Sequence, residues 1–283
     1  MTRIEQGRYL YCVVRTPADG ATETVFSTTG IEDEPVSVIT AGEVGAVVHS
    51  CASLYDSDEL QTVQEWLLSH QRVVDEAGET FGTPIPFQFD TVLTGGDEAL
   101  REWLNAESDR LTTELDALAG HWEYRIEISH HEEARAEIAA NSAELSALRE
   151  KIDEAASGTA YLLEQQYDKQ LAERLRDRRR QQTREAADRI APHVSALESL
   201  GSRRAAGELD LVEEDDHDPV GRFAVLATDS GADELGEELE AIAAEPGVEV
   251  RFTGPWPPYT FAPEIDSAGA HADSQGGTDG AHH

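Results

Sequence analysis

The residues able to do chemistry fall into a few short clusters. His130-His131-Glu132-Glu133 offers the best set of metal donors, since imidazole nitrogens and carboxylates are among the ligands zinc takes. Adjacent histidines at a strand-to-helix junction diverge, however, and no cysteine or H-E-x-x-H spacing supports them, so the cluster reads as a solvated turn. Asp215, Asp216 and Asp218 would attract a divalent cation but lack the EF-hand pattern and its bidentate glutamate. Ser157-Gly158-Thr159 has neither the lysine nor the preceding strand of a phosphate loop, and no serine sits in G-x-S-x-G. His70, on an expected helix, can lean on Glu65, Asp75 or a neighbouring strand, and reads as a structural histidine. Cys12 within one expected strand and Cys51 just after another read as buried, reduced side chains rather than a bridge. These residues predict no catalytic group, no metal site and no cofactor.

A second kind of chemistry is charge. Glu173-Arg-Leu-Arg-Asp-Arg-Arg-Arg-Gln-Gln-Thr-Arg-Glu185 concentrates arginine, with Arg178, Arg179 and Arg180 in succession. Leu163, Tyr167, Leu171 and Leu175 keep helical spacing before it, and Ile190, Val194 and Leu197 resume after it. Between them the apolar stripe vanishes, so nothing there is expected to pack on a core. A helix over 159–191 would run about 50 Å at 1.5 Å per residue, and part of it should project. The tract is then either a solvated helix tip paired with nearby acids or a contact for an acidic partner.

The most particular stretch is 248–262, Val-Glu-Val-Arg-Phe-Thr-Gly-Pro-Trp-Pro-Pro-Tyr-Thr-Phe-Ala. Val248, Val250 and Phe252 alternate with polar residues as a half-buried strand does. Gly254 is expected to stop it. Pro255, Pro257 and Pro258 lack an N–H and fix φ, which predicts an extended arm carrying Trp256, Tyr259 and Phe261. Such an arm is either a clamp between domains or a surface for a partner.

These groups need elements to hold them. Period-2 runs predict strands at 8–15, 35–40, 44–50 and 84–92, with a turn at Ala41-Gly42-Glu43. A helix from about Asp58 carries Leu60, Val63, Leu67 and Val74, with Trp66 and Val73 widening the face and Gly78 and Gly82 near its end. Asp97 is expected to cap one helix carrying Leu100, Leu104, Leu111, Leu115 and Leu118, closed by Gly120. Beyond it Trp122, Tyr124, Ile126 and Ile128 alternate with charge. Helices are expected over 132–156 and 159–191, where Pro192 must kink or restart the second. Strands at 203–211 and 221–228, a helix with Leu235, Leu239 and Ile242, and the strand before the arm complete a βαββαβ order. The fold class is α+β in two domains: residues 1–120, then a ferredoxin-like domain over 121–265 with an enlarged helical insertion. The tail, 266–283, should be disordered.

The chain has 283 residues and a formal charge of −35, from 57 acidic and 22 basic side chains. Acids spread along the whole chain fit a protein kept in molar salt, where the Debye length falls to about 3 Å. The same charge excludes nucleic acid, whose binding rests on neutralised phosphates. No signal segment and no apolar run of about 20 residues appears, which predicts a cytoplasmic protein without a membrane span.

Gly254-Pro-Trp-Pro-Pro-Tyr-Thr-Phe261 after a terminal strand resembles the closing motif of the gas vesicle GvpL/GvpF family. His70-Gln-Arg-Val-Val-Asp75 followed by Pro86-Phe-Gln-Phe-Asp-Thr-Val92 is similar to that family's histidine-bearing helix and its Pro-x-Arg-Phe-Gly-Thr-Val strand, including His70, Pro86 and Phe89. Gln88 stands for the usual arginine and Asp90 for the usual glycine. Gly7-Arg-Tyr-Leu-Tyr-Cys-Val-Val14 fits the first strand. The resemblance spans about residues 7 to 265, and the acidity points to its haloarchaeal branch. It implies a cytoplasmic accessory protein of gas vesicle formation that contacts the apolar shell protein or other accessory gas vesicle proteins early in assembly. The other reading is an enzyme or small-ligand protein with a pocket at the domain junction near His70 and the arm.

Overall fold

The computed structural model describes residues 4–17, 26–130, 141–200 and 219–263. The chain is α+β, with two sheets in two compact units. Among the described residues, the first unit takes those up to Trp122 and those from Trp256 onward, and the second takes Glu123 to Pro255. His131, Glu132, Glu133, the acidic turn with Asp215, Asp216 and Asp218, the expected 203–211 strand and the 266–283 tail lie outside the described residues.

In the first unit β1 (Gly7–Arg15) is an inner strand of the sheet. β2 (Ser37–Ala41) and β3 (Val44–Cys51) form a hairpin whose short turn holds Gly42 at φ 65°, a conformation that costs glycine little. β3 pairs antiparallel with β1, which also pairs with two short strands, β4 (Ile85–Pro86) and β5 (Val92–Leu93). The expected single strand over 84–92 is therefore broken. Asp90 adopts a left-handed φ of 63°, which a continuous strand cannot hold. Residues 87–91 leave the ladder, tied at their ends by Phe87 N–H to the Tyr11 carbonyl and Leu10 N–H to the Thr91 carbonyl, each 2.9 Å.

A bulge in β1 decides which side chains share a face. Leu10 pairs with Val48 and Cys12 with Val47, so Tyr11 is the extra residue. Tyr9, Tyr11, Cys12 and Val14 thereby join one core, where strict alternation would have turned Cys12 and Val14 away. That core includes Val73, Val74 and Ala77 of α1 (Leu60–Phe81). Leu10 and Val13 are fully buried too, and α2 (Gly96–Ala106) and α3 (Ser108–Leu118) also contact β1. Cover on both faces explains why β3 is apolar from Val44 to Val48.

Four helix expectations change. Leu60 is 73% exposed, so the inward stripe of α1 begins later than its first leucine. Gly78 lies inside α1, where a Cβ would come 2.8 Å from the Trp122 ring, and the helix ends instead at Gly82 with φ 84°. The single helix expected from Leu100 to Leu118 is two, parted at Glu107 (φ −94°, ψ 2°). Gly95 rather than Asp97 is the cap residue; Asp97 sits in the first turn, where its charge suits the helix dipole, and pairs with Arg8 at 2.6 Å.

The second unit holds β6 (Trp122–His130), β7 (Ala196–Leu200), β8 (Pro219–Ala227) and β9 (Val248–Trp256) in the order β7-β8-β6-β9. Between β6 and β7 stand α4 (Ala143–Glu154), capped by Ser142 Oγ, and the 34-residue α5 (Ser157–Ile190). They pack as a hairpin that buries Leu145, Leu148 and Leu171, with Arg149 over the Tyr167 ring and an Arg174–Glu144 ion pair. Pro192 ends the helix in a 3-10 turn, Ala191–His193. Leu197, expected on a helical stripe, instead pairs with Val225 in β7 and β8. α6 (Asp229–Ala243), capped by Thr228 Oγ1, buries Leu235, Leu239 and Ile242 as their spacing predicts.

β9 also departs from expectation, running through Gly254 and Pro255 to Trp256. It is an edge strand, where a proline's missing N–H need cost no ladder bond. Gly254 is a point of close approach, not a stop: at φ 134° its Cβ would meet Tyr124 Cδ1 at 2.7 Å and the Glu123 carbonyl at 2.9 Å.

Candidate functional site

The inward face of α1 sets His70 against the bulged stretch of β1, and the answer to its partner is the strand, not an acid. Asp75 accepts from Gln71 (2.8 Å) and Glu65 from Gln61 (3.0 Å), while His70 Nδ1 meets the Tyr9 hydroxyl at 2.8 Å. Tyr9 Oη also accepts from the Asp90 N–H (3.1 Å), and with His70 as its Nε2–H tautomer the Tyr9 proton goes to Nδ1. A parallel chain lies beside it. Tyr11 Oη accepts from the Ile31 N–H (3.0 Å) and donates to His49 Nδ1 (2.7 Å), and His49 Nε2–H donates to Tyr55 Oη at 2.9 Å. Gly30 permits this, because a Cβ there would lie 2.3 Å from the Tyr11 hydroxyl. Tyr9 and His49 stack at 4.9 Å and 12°.

We assign both histidines as neutral Nε2–H tautomers, in which each Nδ1 accepts from a tyrosine hydroxyl. Burial lowers each to about 4 from the ordinary 6.5; for His70 the Phe87 carbonyl opposes this and the His49 ring adds to it. Burial likewise pushes the Tyr9 and Tyr11 hydroxyls well above their usual range and raises the Asp90 carboxyl. Tyr9 and Tyr11 are fully buried, His49 is 1% exposed and His70 3%. Such a network fixes proton positions and ring orientations, with Tyr9, Tyr11, His49 and His70 shut off from solvent and Tyr55 half-buried. Among the described residues, no group of three or more His, Cys, Asp or Glu is placed to hold a metal ion, and no helix is long and apolar enough to cross a membrane.

Three of the singled-out residues converge on this cluster. The Phe89 ring lies 6.2 Å from that of His70, and the Tyr259 ring 6.4 Å from it. Pro86 is buried and pairs with Cys12. Pro257 and Pro258 are buried, and the chain then turns, with Tyr259 N–H bonded to the Pro257 carbonyl (2.8 Å) and Phe261 N–H to that of Pro258 (3.2 Å). The expected extended arm is therefore a strand end followed by a tight turn. Tyr259 and Phe261 are half-buried, and Trp256 is 40% exposed. Spacing alone does not single out Tyr11, His49 and Tyr55; the signal that points to them is two tyrosines inside a core strand, whose hydroxyls need polar partners.

Asp90 holds a left-handed φ of 63°, a conformation that a glycine would adopt at little cost. Its carboxylate also accepts the Tyr55 N–H at 3.0 Å. Asp90→Gly is expected to cost about 1 kcal/mol or less, and Asp90→Val about 2 to 3 kcal/mol, because a β-branched residue resists positive φ. Denaturant midpoints of the two variants check this order.

The arginine tract does not project. Gln182, Thr183 and Ala186 are half-buried, and the Thr183 methyl lies 3.3 Å from where a Cβ on Gly221 of β8 would sit. Ile128, Ile242 and Val248 line a groove of about 410 Å³ with this face of α5. The end of the hairpin carries the exposed apolar pair instead, Tyr161 at 60% and Leu162 at 65%. The three successive arginines differ. Arg179 is half-buried and engaged, Arg180 is exposed 4.0 Å from Asp177, and Arg178 is exposed with no ionic partner among the described residues.

Residues 7–263 match the family described as gas vesicle synthesis protein GvpL/GvpF. Gas vesicle protein L2 of Halobacterium salinarum is 45% identical over 264 residues, covering 93% of this chain and 94% of its own. Gas vesicle protein L of Haloferax mediterranei is 38% identical over 289 residues, covering 93% and 89%. The crystal structure of the gas vesicle protein GvpF from an Anabaena species shares the fold, with a TM-score of 0.69 at 17% identity over 92% of this chain and 99% of that one. Halophilic relatives of this similarity, matched along nearly the whole length, make this chain a member of the GvpL/GvpF family.

Proposed function

We propose that this protein is a cytoplasmic accessory factor of gas vesicle formation, acting by binding the apolar shell protein or other accessory gas vesicle proteins early in assembly. The observation that carries this is the near end-to-end match to relatives named as gas vesicle proteins. Shell subunits must be strongly apolar on their gas-facing side, which makes them aggregation hazards until a soluble partner holds them. Binding is favoured over catalysis because the buried histidine and tyrosine rings are sealed from solvent. The second unit is read as ferredoxin-like, supported by its βαββαβ succession and its order β7-β8-β6-β9.

The contact surfaces follow from exposure. Pro257, Pro258, Tyr259 and Phe261 are largely taken up within the first unit, which leaves Trp256 as the open residue of that stretch. Of the three successive arginines, Arg178 and Arg180 are the exposed ones. Deleting the chain from a vesicle-forming haloarchaeon should abolish vesicles, and a tagged chain should recover other gas vesicle proteins. Normal vesicles in the deletion strain would refute the role. Arg178→Glu with Arg180→Glu should leave the melting profile unchanged and reduce partner recovery about tenfold, read by quantitative pulldown.

A further inference from the structure

The groove beneath the arginine tract joins an apolar floor to a free charge. At about 410 Å³ it is large enough for one or two big side chains, within the roughly 300–1,000 Å³ range of ligand sites. Ile128 of β6, Ile242 of α6 and Val248 of β9 supply the floor, and Ala186 leaves room on the α5 side. Three of its charges are already engaged: Arg189 pairs with Glu238 and with Glu245 of the groove itself at 2.5 Å each, and Glu185 accepts from Gln181 at 2.8 Å. Arg178, on the same wall, is exposed and unpaired among the described residues.

We propose that this groove docks an acidic amphipathic segment of a partner protein, an apolar side chain entering the groove while a neighbouring carboxylate pairs with Arg178. The proposal rests on the binding role given above and names where and what the protein binds. Charge complementarity selects this occupant. Residues 173–185 carry six arginines against three acids, within a chain of net charge −35. A basic partner is drawn to nearly every other surface and repelled here; an acidic one is repelled elsewhere and admitted here. In molar salt only contact-range attraction survives, with a Debye length of about 3 Å, so specificity must come from one close arginine beside a burying groove.

The test uses the full chain in molar potassium chloride with three labelled helical peptides followed by fluorescence anisotropy. The first bears leucines at i, i+4 spacing flanked by glutamates; in the second lysines replace the glutamates, and in the third serines replace the leucines. The first should bind about tenfold or more tighter than either control. Arg178→Glu should invert the preference between glutamate and lysine forms, and Ala186→Trp, which fills the groove, should abolish binding with an unchanged melting profile. Should that variant fail to fold, Gln181→Trp on the exposed rim of the same groove replaces it. Equal binding of all three peptides, or full binding by the filled-groove variant, overturns the proposal. So does self-association that Ala186→Trp removes, because the occupant is then a second copy. Normal vesicles in an Ala186→Trp strain, beside none in a deletion strain, remove the groove and keep the accessory role; normal vesicles in the deletion strain remove the role itself.

Discussion

On transfer from molar potassium chloride into dilute buffer, the protein should lose its helical circular dichroism cooperatively, and regain it when salt is restored. The formal charge of −35 is spread along the chain. Two like charges 10 Å apart in water repel by about 0.4 kcal/mol without screening. A surface with such an excess contains many such pairs, while a domain is stable by only about 5–15 kcal/mol. At about 0.01 M salt the Debye length is about 30 Å and most of that repulsion acts; at about 1 M it is about 3 Å and little remains. Contact ion pairs such as Arg8–Asp97 and Arg222–Glu127 survive the added salt better than the repulsion does, because their charges are closer than the screening length or near it. Stability should therefore rise steadily with salt toward the molar range. A fully native spectrum and unchanged melting temperature in dilute buffer would contradict this.

How far the sequence could be read depended on whether local pattern or tertiary contact made the decision. Leu235, Leu239 and Ile242 lie on one helical face by spacing alone, and the hairpin turn at Gly42 is set by local turn chemistry, so both were legible. His70 could be placed on a helix but not given a partner, because that depends on the bulge at Tyr11, which no period reveals. The same bulge gathers Tyr9, Tyr11 and, across the strand pair, His49. Asp90 was visible as a departure from a glycine motif, yet its positive φ emerges only with the arch over Tyr9.

The misreadings share a cause. Gly254 and Pro255 look like strand breakers until β9 is known to be an edge strand lying close against Tyr124. The arginine tract lacks an apolar stripe and is largely exposed, as that predicts, yet α5 still meets β8 there through Thr183 and forms a groove with half-polar walls, a contact no periodicity marks. Edges and grooves are relations between distant segments. A window of sequence shows propensity, and these positions obey contacts that override it.

As pH falls from about 6.5 toward 4, the protein should lose stability even in molar salt, and the loss should trace to His49 and His70. Each ring titrates near 4 in the native state instead of 6.5, because burial disfavours its charged form. In that window the unfolded chain binds protons that the native rings refuse, so the contribution is fully present above about 6.5 and drains away as pH drops through the native value. A shift of this size is worth about 3 kcal/mol per ring at most. The second ring to charge should resist more, since each imidazolium would face the other across Tyr9 and Tyr11, with no free carboxylate among the cluster's hydrogen bonds except Asp90. Asp75 and Asp90 have raised carboxyls, which act in the opposite sense, but carboxylates titrate mainly below the upper half of the window. The slope between pH 6.5 and 5 therefore belongs chiefly to the histidines. Chemical unfolding at a series of pH values should show it, and the double variant His49→Gln, His70→Gln, less stable throughout, should be nearly flat over the same interval. Ring ¹⁵N shifts of the native protein should report Nε2–H tautomers down to about pH 5. Either ring titrating near 6.5 in the folded protein, or a wild-type stability that does not change over that interval, would show that the two Tyr–His pairs are not held neutral as their hydrogen bonds require.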